Sequence, residues 1–212
     1  MSATLKEFED HRLLAVIRSS SPEDAEAMIK AAGAGGFWLF EISVQTPQAV
    51  RLIESYSKKE GFLIGAGTVT DGEMAQRAIN AGARFISTHY TDKDVINVAK
   101  NNDSFVIAGA LTPTEAVNAY QLGADLVRIY PAVSIGGPVY LKSLRANLPS
   151  IKFMASGGVG LENAFEHLRY CVAVSFRKSL FDMPLVRSDN WGEITERAKQ
   201  LTQKLESLKV VR

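Results

Sequence analysis

Two charged residues lie inside runs of apolar side chains. Glu41 stands in Phe37-Trp38-Leu39-Phe40-Glu41-Ile42, and Arg128 in Val127-Arg128-Ile129-Tyr130, just ahead of Pro131. A carboxylate in such a run is desolvated, which raises its pKa towards the range of a general base. A guanidinium in the same setting needs an anion, and either Glu41 or a substrate carboxylate would serve. An inert buried ion pair is the alternative for both residues. Further along, Gly157-Gly158 offer backbone N–H groups and Arg177-Lys178 two cations, a combination suited to a phosphorylated or dicarboxylic ligand. A tight turn and a solvated basic face are the simpler readings of those two dipeptides. Gly136-Gly137-Pro138 reads as a turn, His89 and His167 as surface or core-edge residues rather than ligands, and Cys171 as a small hydrophobe.

These residues need a frame to bring them together. Short apolar or β-branched runs begin near Leu13, Phe37, Phe62, Arg84, Phe105, Asp125, Ile151 and Cys171, 20 to 26 residues apart. That spacing holds a helix and two connections and is too long for hairpins. Ser21-Pro22, Thr46-Pro47 and Thr112-Pro113 each put an N-cap oxygen before a proline at the first helical position. Thr112 with Glu115, and Thr70 with Glu73, have capping-box spacing. Ala25, Met28, Ile29, Ala32 and Gly33 form one apolar helical stripe.

Eight strand-helix units in about 200 residues predict an α/β fold, a closed (β/α)8 TIM barrel, rather than an open doubly wound sheet. The first strand runs into Arg18-Ser19-Ser20-Ser21, with no glycine-rich dinucleotide turn. No linker divides the chain, so residues 1–212 are expected to form one domain. It would have an N-terminal helix and a last helix, at about 191–208, closing the barrel against the N-terminal segment. Polar groups just past each strand are then the site candidates: Arg18, Glu41, Ser43, Gln45, Thr68, the Ser87-Thr88-His89 run, Gly109, Arg128, Ser156-Gly157-Gly158, Ser175, Arg177 and Lys178.

Composition removes other classes. Of 212 residues, 24 are Lys or Arg and 23 Asp or Glu, so a net charge of +1 gives no field for nucleic acid or an anionic membrane. One cysteine and three scattered histidines leave no disulfide framework and little for a zinc cage, so neither a metal nor a cofactor is expected. No run approaches 18 apolar residues, and the N-terminus is charged. A soluble, cytoplasmic protein in a reducing compartment is the expectation.

With Glu41 on the second strand, GAGTV at 65–69, TPTEA at 112–116, YPA at 130–132, GG at 136–137 and SGGV at 156–159, the chain resembles the 2-keto-3-deoxy-6-phosphogluconate / 4-hydroxy-2-oxoglutarate aldolases. The resemblance covers residues ~10 to 180 in one register, as a whole barrel requires. It implies a homotrimeric (β/α)8 aldolase that cleaves a 2-keto acid to pyruvate and an aldehyde, using a Schiff-base lysine on strand six and the strand-two glutamate. Glu41 falls on that glutamate, Thr68 on a substrate-pocket threonine, Gly157 and Gly158 on phosphate-binding glycines, and Arg18 on an arginine some members carry. Three positions depart from the pattern: Arg128 stands at the lysine, Gln45 at a pocket arginine, and Arg177-Lys178 at the Gly-Ser of the eighth-strand loop.

A Schiff base needs an amine with a free lone pair, and a guanidinium keeps its proton and delocalised electrons. Arg128 therefore cannot form the imine. One reading keeps a lyase on 2-keto acids, with retro-aldol cleavage or decarboxylation through an enolate. Arg128 would hold the substrate carboxylate or polarise its keto oxygen while Glu41 moves the proton. A variant gives the amine role to Lys178 beside Arg177. A third reading is a catalytically silent barrel that binds a phosphorylated sugar acid. An open pocket around Glu41 would favour turnover, and a closed Glu41–Arg128 pair would not.

Overall fold

The structure, a computed structural model, describes residues 3–210. Eight parallel strands close into a barrel in sequence order: β1 Leu13–Ile17, β2 Leu39–Ser43, β3 Leu63–Gly67, β4 Phe85–Ser87, β5 Phe105–Ala110, β6 Leu126–Ile129, β7 Phe153–Ala155 and β8 Ala173–Phe176. β1 pairs with both β2 and β8, which completes the ring. Each strand begins within two residues of the apolar run that predicted it. Between strands run α2 (Pro22–Ala34), α3 (Ala49–Ser57), α4 (Gly72–Asn80), α5 (Lys93–Asn101), α6 (Pro113–Gln121), α7 (Gly137–Asn147) and the single turn α8 (Ala164–His167). The chain is a single-domain (β/α)8 barrel.

Alternation along each strand sorts the side chains into two cores. Phe40, Ile42, Ile64, Ile86, Val106, Val127 and Ile129 face the helices, while Leu14, Leu39, Leu63, Phe85, Phe105, Leu126 and Met154 fill the barrel. Helix α1 (Ala3–His11) plugs its N-terminal end: Phe8 is fully buried, stacked on Phe105 at 5.5 Å and edge-on to Phe85 at 5.2 Å. With that end closed by aromatic rings, access is from the other. Beyond β8, α9 (Met183–Arg187) leads into α10 (Trp191–Val210). This last helix lies along α2, with Thr195 and Thr202 hydroxyls on the carbonyls of Ala31 and Gly35. It thereby packs against the N-terminal part of the chain, while α1 plugs the barrel from beneath. Among the described residues, no helix is long and apolar enough to cross a membrane.

The predicted caps divide in an informative way. Ser21 caps α2 by accepting from Asp24 N–H, and Thr112 with Glu115 forms a reciprocal capping box on α6. Thr46 does not cap α3, whose N-cap is Gln48 at φ 57°. Thr46 is buried instead, and its hydroxyl accepts from Ser19 N–H, tying the loop after β1 to that after β2. Helix α4 is capped by Asp71, which accepts from Met74 N–H at 2.7 Å, not by Thr70. Aspartate one residue nearer the helix outcompetes the threonine.

Candidate active site at the barrel mouth

Above the apolar layer the barrel interior turns polar. Glu41 is the third residue of β2 and Arg128 the third of β6, both inward-facing and both 0% exposed. They meet across the ring. Arg128 Nη1 donates to Glu41 Oε1 at 3.2 Å and Nη2 donates to Oε2, a bidentate pair. Gly67 on β3 makes room: a Cβ there would stand 2.1 Å from Glu41 Oε1. Beside it on β4 lies Ser87, fully buried, whose hydroxyl has no hydrogen-bond partner. Arg128 Nε is the second unpartnered donor in this layer.

The electrostatics correct one expectation. Burial pushes the Glu41 carboxyl up, but the Arg128 charge and its hydrogen bonds outweigh it and hold the carboxyl below the usual carboxylate range. In this state Glu41 is a closed partner of Arg128 and not a base with a raised pKa. Desolvation and an ion pair with Arg128 were both open from the sequence; the pair is what forms, and it sets the sign of the shift.

The rim carries the remaining candidates. Arg18, Gln45, Arg177 and Lys178 line one cavity of about 350 Å³ between the ends of β1 and β8, floored by Met28 and Phe181. Burial and the neighbouring Arg18 charge lower the Arg177 pKa, so two guanidinium groups share this space. Among the described residues, none of these three cations has a carboxylate partner within 4 Å. Cations held together without a counter-ion suit a ligand that brings the anion. Thr68 follows β3 with φ 60°, a left-handed conformation costly for a β-branched residue, and accepts from Ser43 Oγ at 3.0 Å. Gly157 and Gly158 (φ 86° and 83°) follow β7, where side chains would strike Pro131 and Val133 respectively. Their loop lies beside that of Arg177 and Lys178: Ser179 Oγ donates to the Val159 carbonyl at 2.7 Å.

Two residues gain weight from the structure. Gly109 on β5 has no Cβ because the backbone of His89 and Tyr90 occupies that place, 2.0 to 2.5 Å away. This close approach folds the loop after β4 over the mouth and sets His89 edge-on to Tyr130 at 4.8 Å. Glycine ending an apolar strand run, opposite Ser-Thr-His ending the previous one, was the only signal in the sequence.

The architecture and the placement of its polar groups define a class: (β/α)8 barrels with charged side chains gathered at the C-terminal strand ends, where such barrels build small-molecule sites. Comparison narrows it. The family described as KDPG and KHG aldolase matches residues 4–197, and the chain belongs to that family. It is 36% identical over 156 residues (71% of this chain, 75% of the relative) to the 2-dehydro-3-deoxy-6-phosphogalactonate aldolase of Escherichia coli K12. It is 28% identical over 198 residues (91% and 89%) to the 2-dehydro-3-deoxy-phosphogluconate aldolase of Pseudomonas aeruginosa. Among solved structures, the KDPG aldolase from Legionella pneumophila, with pyruvate captured as a covalent carbinolamine, superposes with TM-score 0.84 at 25% identity, covering 95% of this chain and 98% of that one. A chain of a protein cage designed by fusing symmetric oligomeric domains matches at TM-score 0.78 and 30% identity, over 93% and 75%.

Proposed function

We propose that the protein is an aldolase-type carbon–carbon lyase for a 2-keto acid of the 2-keto-3-deoxy-6-phosphogluconate or 4-hydroxy-2-oxoglutarate class. It releases pyruvate by an enolate route that needs no imine. The observation that carries this reading is family membership over residues 4–197, together with a rim of uncompensated cations; the closed Glu41–Arg128 pair has to open for turnover. Family membership supplies the reaction class. The Arg128 side chain stands where the resemblance puts the Schiff-base lysine, which removes the covalent route at that position.

Glu41 occupies one donor on each Nη of the guanidinium and leaves Nε without a partner. A 2-keto acid presents two coplanar oxygens, from its carboxylate and its keto group, and can replace Glu41 there. Glu41 then loses the charge that held its pKa down while remaining buried, so its pKa rises and it becomes a proton carrier. As the C3–C4 bond breaks, its electron pair moves into C2–C3. The negative charge develops on the keto oxygen against Arg128. The C4 hydroxyl loses its proton as C4 becomes the aldehyde, and Glu41 delivers a proton to C3 to complete pyruvate. Arg18, Arg177, Lys178 and Gln45 receive the distal phosphate or carboxylate, with Thr68, Gly157 and Gly158 lining the approach. A homotrimer is part of the proposal, supported by the likeness to a cage built from oligomeric domains.

The closed pair favours a second reading, a silent barrel that binds the same acids. Pyruvate release from each candidate substrate, followed by lactate dehydrogenase coupling, separates the two. Release that disappears in Glu41→Gln supports the lyase. Calorimetric binding without release leaves the silent barrel, and release unchanged in Glu41→Gln removes Glu41 from the mechanism.

A further inference from the structure

A buried hydroxyl without a partner lowers the stability of a folded chain, so one kept inside a site calls for a second state in which it is used. Ser87 is such a residue: it is 0% exposed, and its Oγ forms no hydrogen bond to another described residue. We propose that Ser87 is the positioning residue for Glu41, its hydroxyl receiving the carboxylate when an oxoacid takes Arg128. This deepens the reading given above and rests on the displacement of Glu41 that it requires.

Strand register places the two groups side by side. Phe85 fills the barrel and Ile86 faces the helices, so Ser87 points inward. Ala66 of β3 pairs with Ile86, which sets Gly67 beside Ser87. The Glu41 carboxyl lies over Gly67, closest through Oε1, in the space that a side chain there would fill. A missing side chain on β3 thus lets a β2 carboxylate reach towards a β4 hydroxyl one strand spacing away. In the resting protein Arg128 holds Oε1 through Nη1 and Oε2 through Nη2. Once the guanidinium turns to substrate, both oxygens are free in a layer closed to solvent. Oε1 is the one nearest β4, and rotation of the Ser87 hydroxyl brings a donor to it. Oε2 is left for the substrate.

That division suits the chemistry. Oε2 accepts the C4 hydroxyl proton as the C3–C4 bond breaks and returns the same proton to C3, so one carboxylate completes the cycle with nothing left over. The group must keep one orientation through both transfers and must start ionised. A hydroxyl donating to Oε1 fixes its plane and favours the charged form against burial. In the resting protein burial raises the Glu41 pKa, and Arg128 of β6, His89 after β4 and, least of these, Ser87 lower it. Substrate removes the first of those three. Burial and the nearby arginines lower the His89 pKa, so its ring is uncharged at neutral pH. Ser87 then supplies the hydrogen bond in place of the guanidinium.

Ser87→Ala and Ser87→Thr, which keeps the hydroxyl, are compared with wild type by calorimetric melting, pyruvate binding and the pH dependence of pyruvate release. Without ligand, Ser87→Ala removes an unpartnered group and should melt at or above the wild-type temperature. With Glu41 released it removes a hydrogen bond to a charge, so pyruvate affinity should fall about tenfold or more. The acid limb of kcat should move to higher pH, because burial meets less opposition, and Ser87→Thr should restore affinity and limb. The same reversal is expected without ligand. In Arg128→Met, whose Glu41 is already released, adding Ser87→Ala should lower the melting temperature at mildly alkaline pH, opposite to its effect in wild type. If Arg128→Met does not fold, the pyruvate affinities decide alone. A Ser87→Ala protein that melts lower than wild type while affinity and acid limb stay unchanged makes Ser87 structural and overturns the proposal, as does an equal effect of Ser87→Ala with and without Arg128. If pyruvate binds with the expected dependence on Ser87 but is released from neither keto acid, the lyase reading falls and the positioning of Glu41 stands. If wild type binds no oxoacid, Glu41 is never displaced and both fall.

Discussion

Replacing each partner of the buried pair by methionine, singly and together, tests the physical core of the site. Arg128→Met leaves the Glu41 carboxyl 0% exposed, with the Ser87 hydroxyl beside it. Glu41→Met leaves a guanidinium with no anion and with Nε already unpartnered. Stranding one member of a buried pair costs about 3–5 kcal/mol. At about 2–4 °C per kcal/mol for a chain of this size, each single variant should melt roughly 6–20 °C below wild type. Methionine is unbranched and follows the path of either side chain past Gly67, so the double variant removes both charges without adding bulk. It should melt within a few degrees of wild type or above it. The pH dependence has a defined sign. In wild type the folded Glu41 pKa is lowered, so the pair stabilises the fold above the unfolded carboxyl pKa, and that contribution is lost as pH falls through the folded value. In Arg128→Met the largest opposing contributions are gone and burial, the leading cause, outweighs the lesser pulls of His89 and Ser87 and raises the carboxyl pKa, so acidification should stabilise that variant relative to its neutral-pH state. Calorimetric melts across acid and neutral pH read both effects. Single losses that add in the double variant, or single losses below about 1 kcal/mol, would refute a dry, coupled pair.

Two further outcomes follow from the same geometry. Incubated with pyruvate and borohydride, wild-type protein should gain no covalent adduct, while Arg128→Lys should gain one at residue 128, read by peptide mass; an adduct at Lys178 in wild type would assign the amine to the rim. Arg177→Ala should weaken binding of inorganic phosphate by about tenfold, the scale of one charge-assisted hydrogen bond, with little change in melting temperature; undiminished affinity in Arg177→Ala would leave the cationic cavity without a role.

The barrel was legible because both faces of every strand are covered, so each strand appears as an apolar run, and because the runs recur at the length of a βα unit. Glu41 and Arg128 stood out for the same reason, as charges that interrupt those runs. That they could pair was legible, Glu41 being one of two anions open to Arg128, but the geometry of the pair was not. Nothing in local spacing says that side chains 87 residues apart share two hydrogen bonds, or that the bonds outweigh burial and set the sign of the Glu41 shift. The gathering of Arg18, Gln45, Arg177 and Lys178 followed once the ring closed, since β1 and β8 become neighbours. Gly157 and Gly158 end the neighbouring strand, and the Ser179 hydroxyl on the Val159 carbonyl ties their loop to that of Arg177 and Lys178. His89 was set aside because its position depends on a missing Cβ at Gly109, twenty residues away in sequence and under its backbone in space.

The pair also orients whatever enters. A group that displaces Glu41 from Arg128 must replace two in-plane hydrogen bonds, and one that offers a single oxygen forfeits about 1.5–3 kcal/mol, roughly tenfold or more in affinity. The carboxylate and keto oxygens of a 2-keto acid meet that demand, whereas a tetrahedral phosphate matches the looser cluster of three cations at the rim. On the proposed route a ligand with both ends therefore has one low-energy direction, oxoacid inward and distal anion outward. On the proposed route, the exchange that seats the oxoacid also releases Glu41 from the charge that keeps it a weak base, which ties its activation to the presence of substrate. A lysine at the sixth strand would activate the keto group by bonding to it; an arginine there ties activation to displacement of an ion pair.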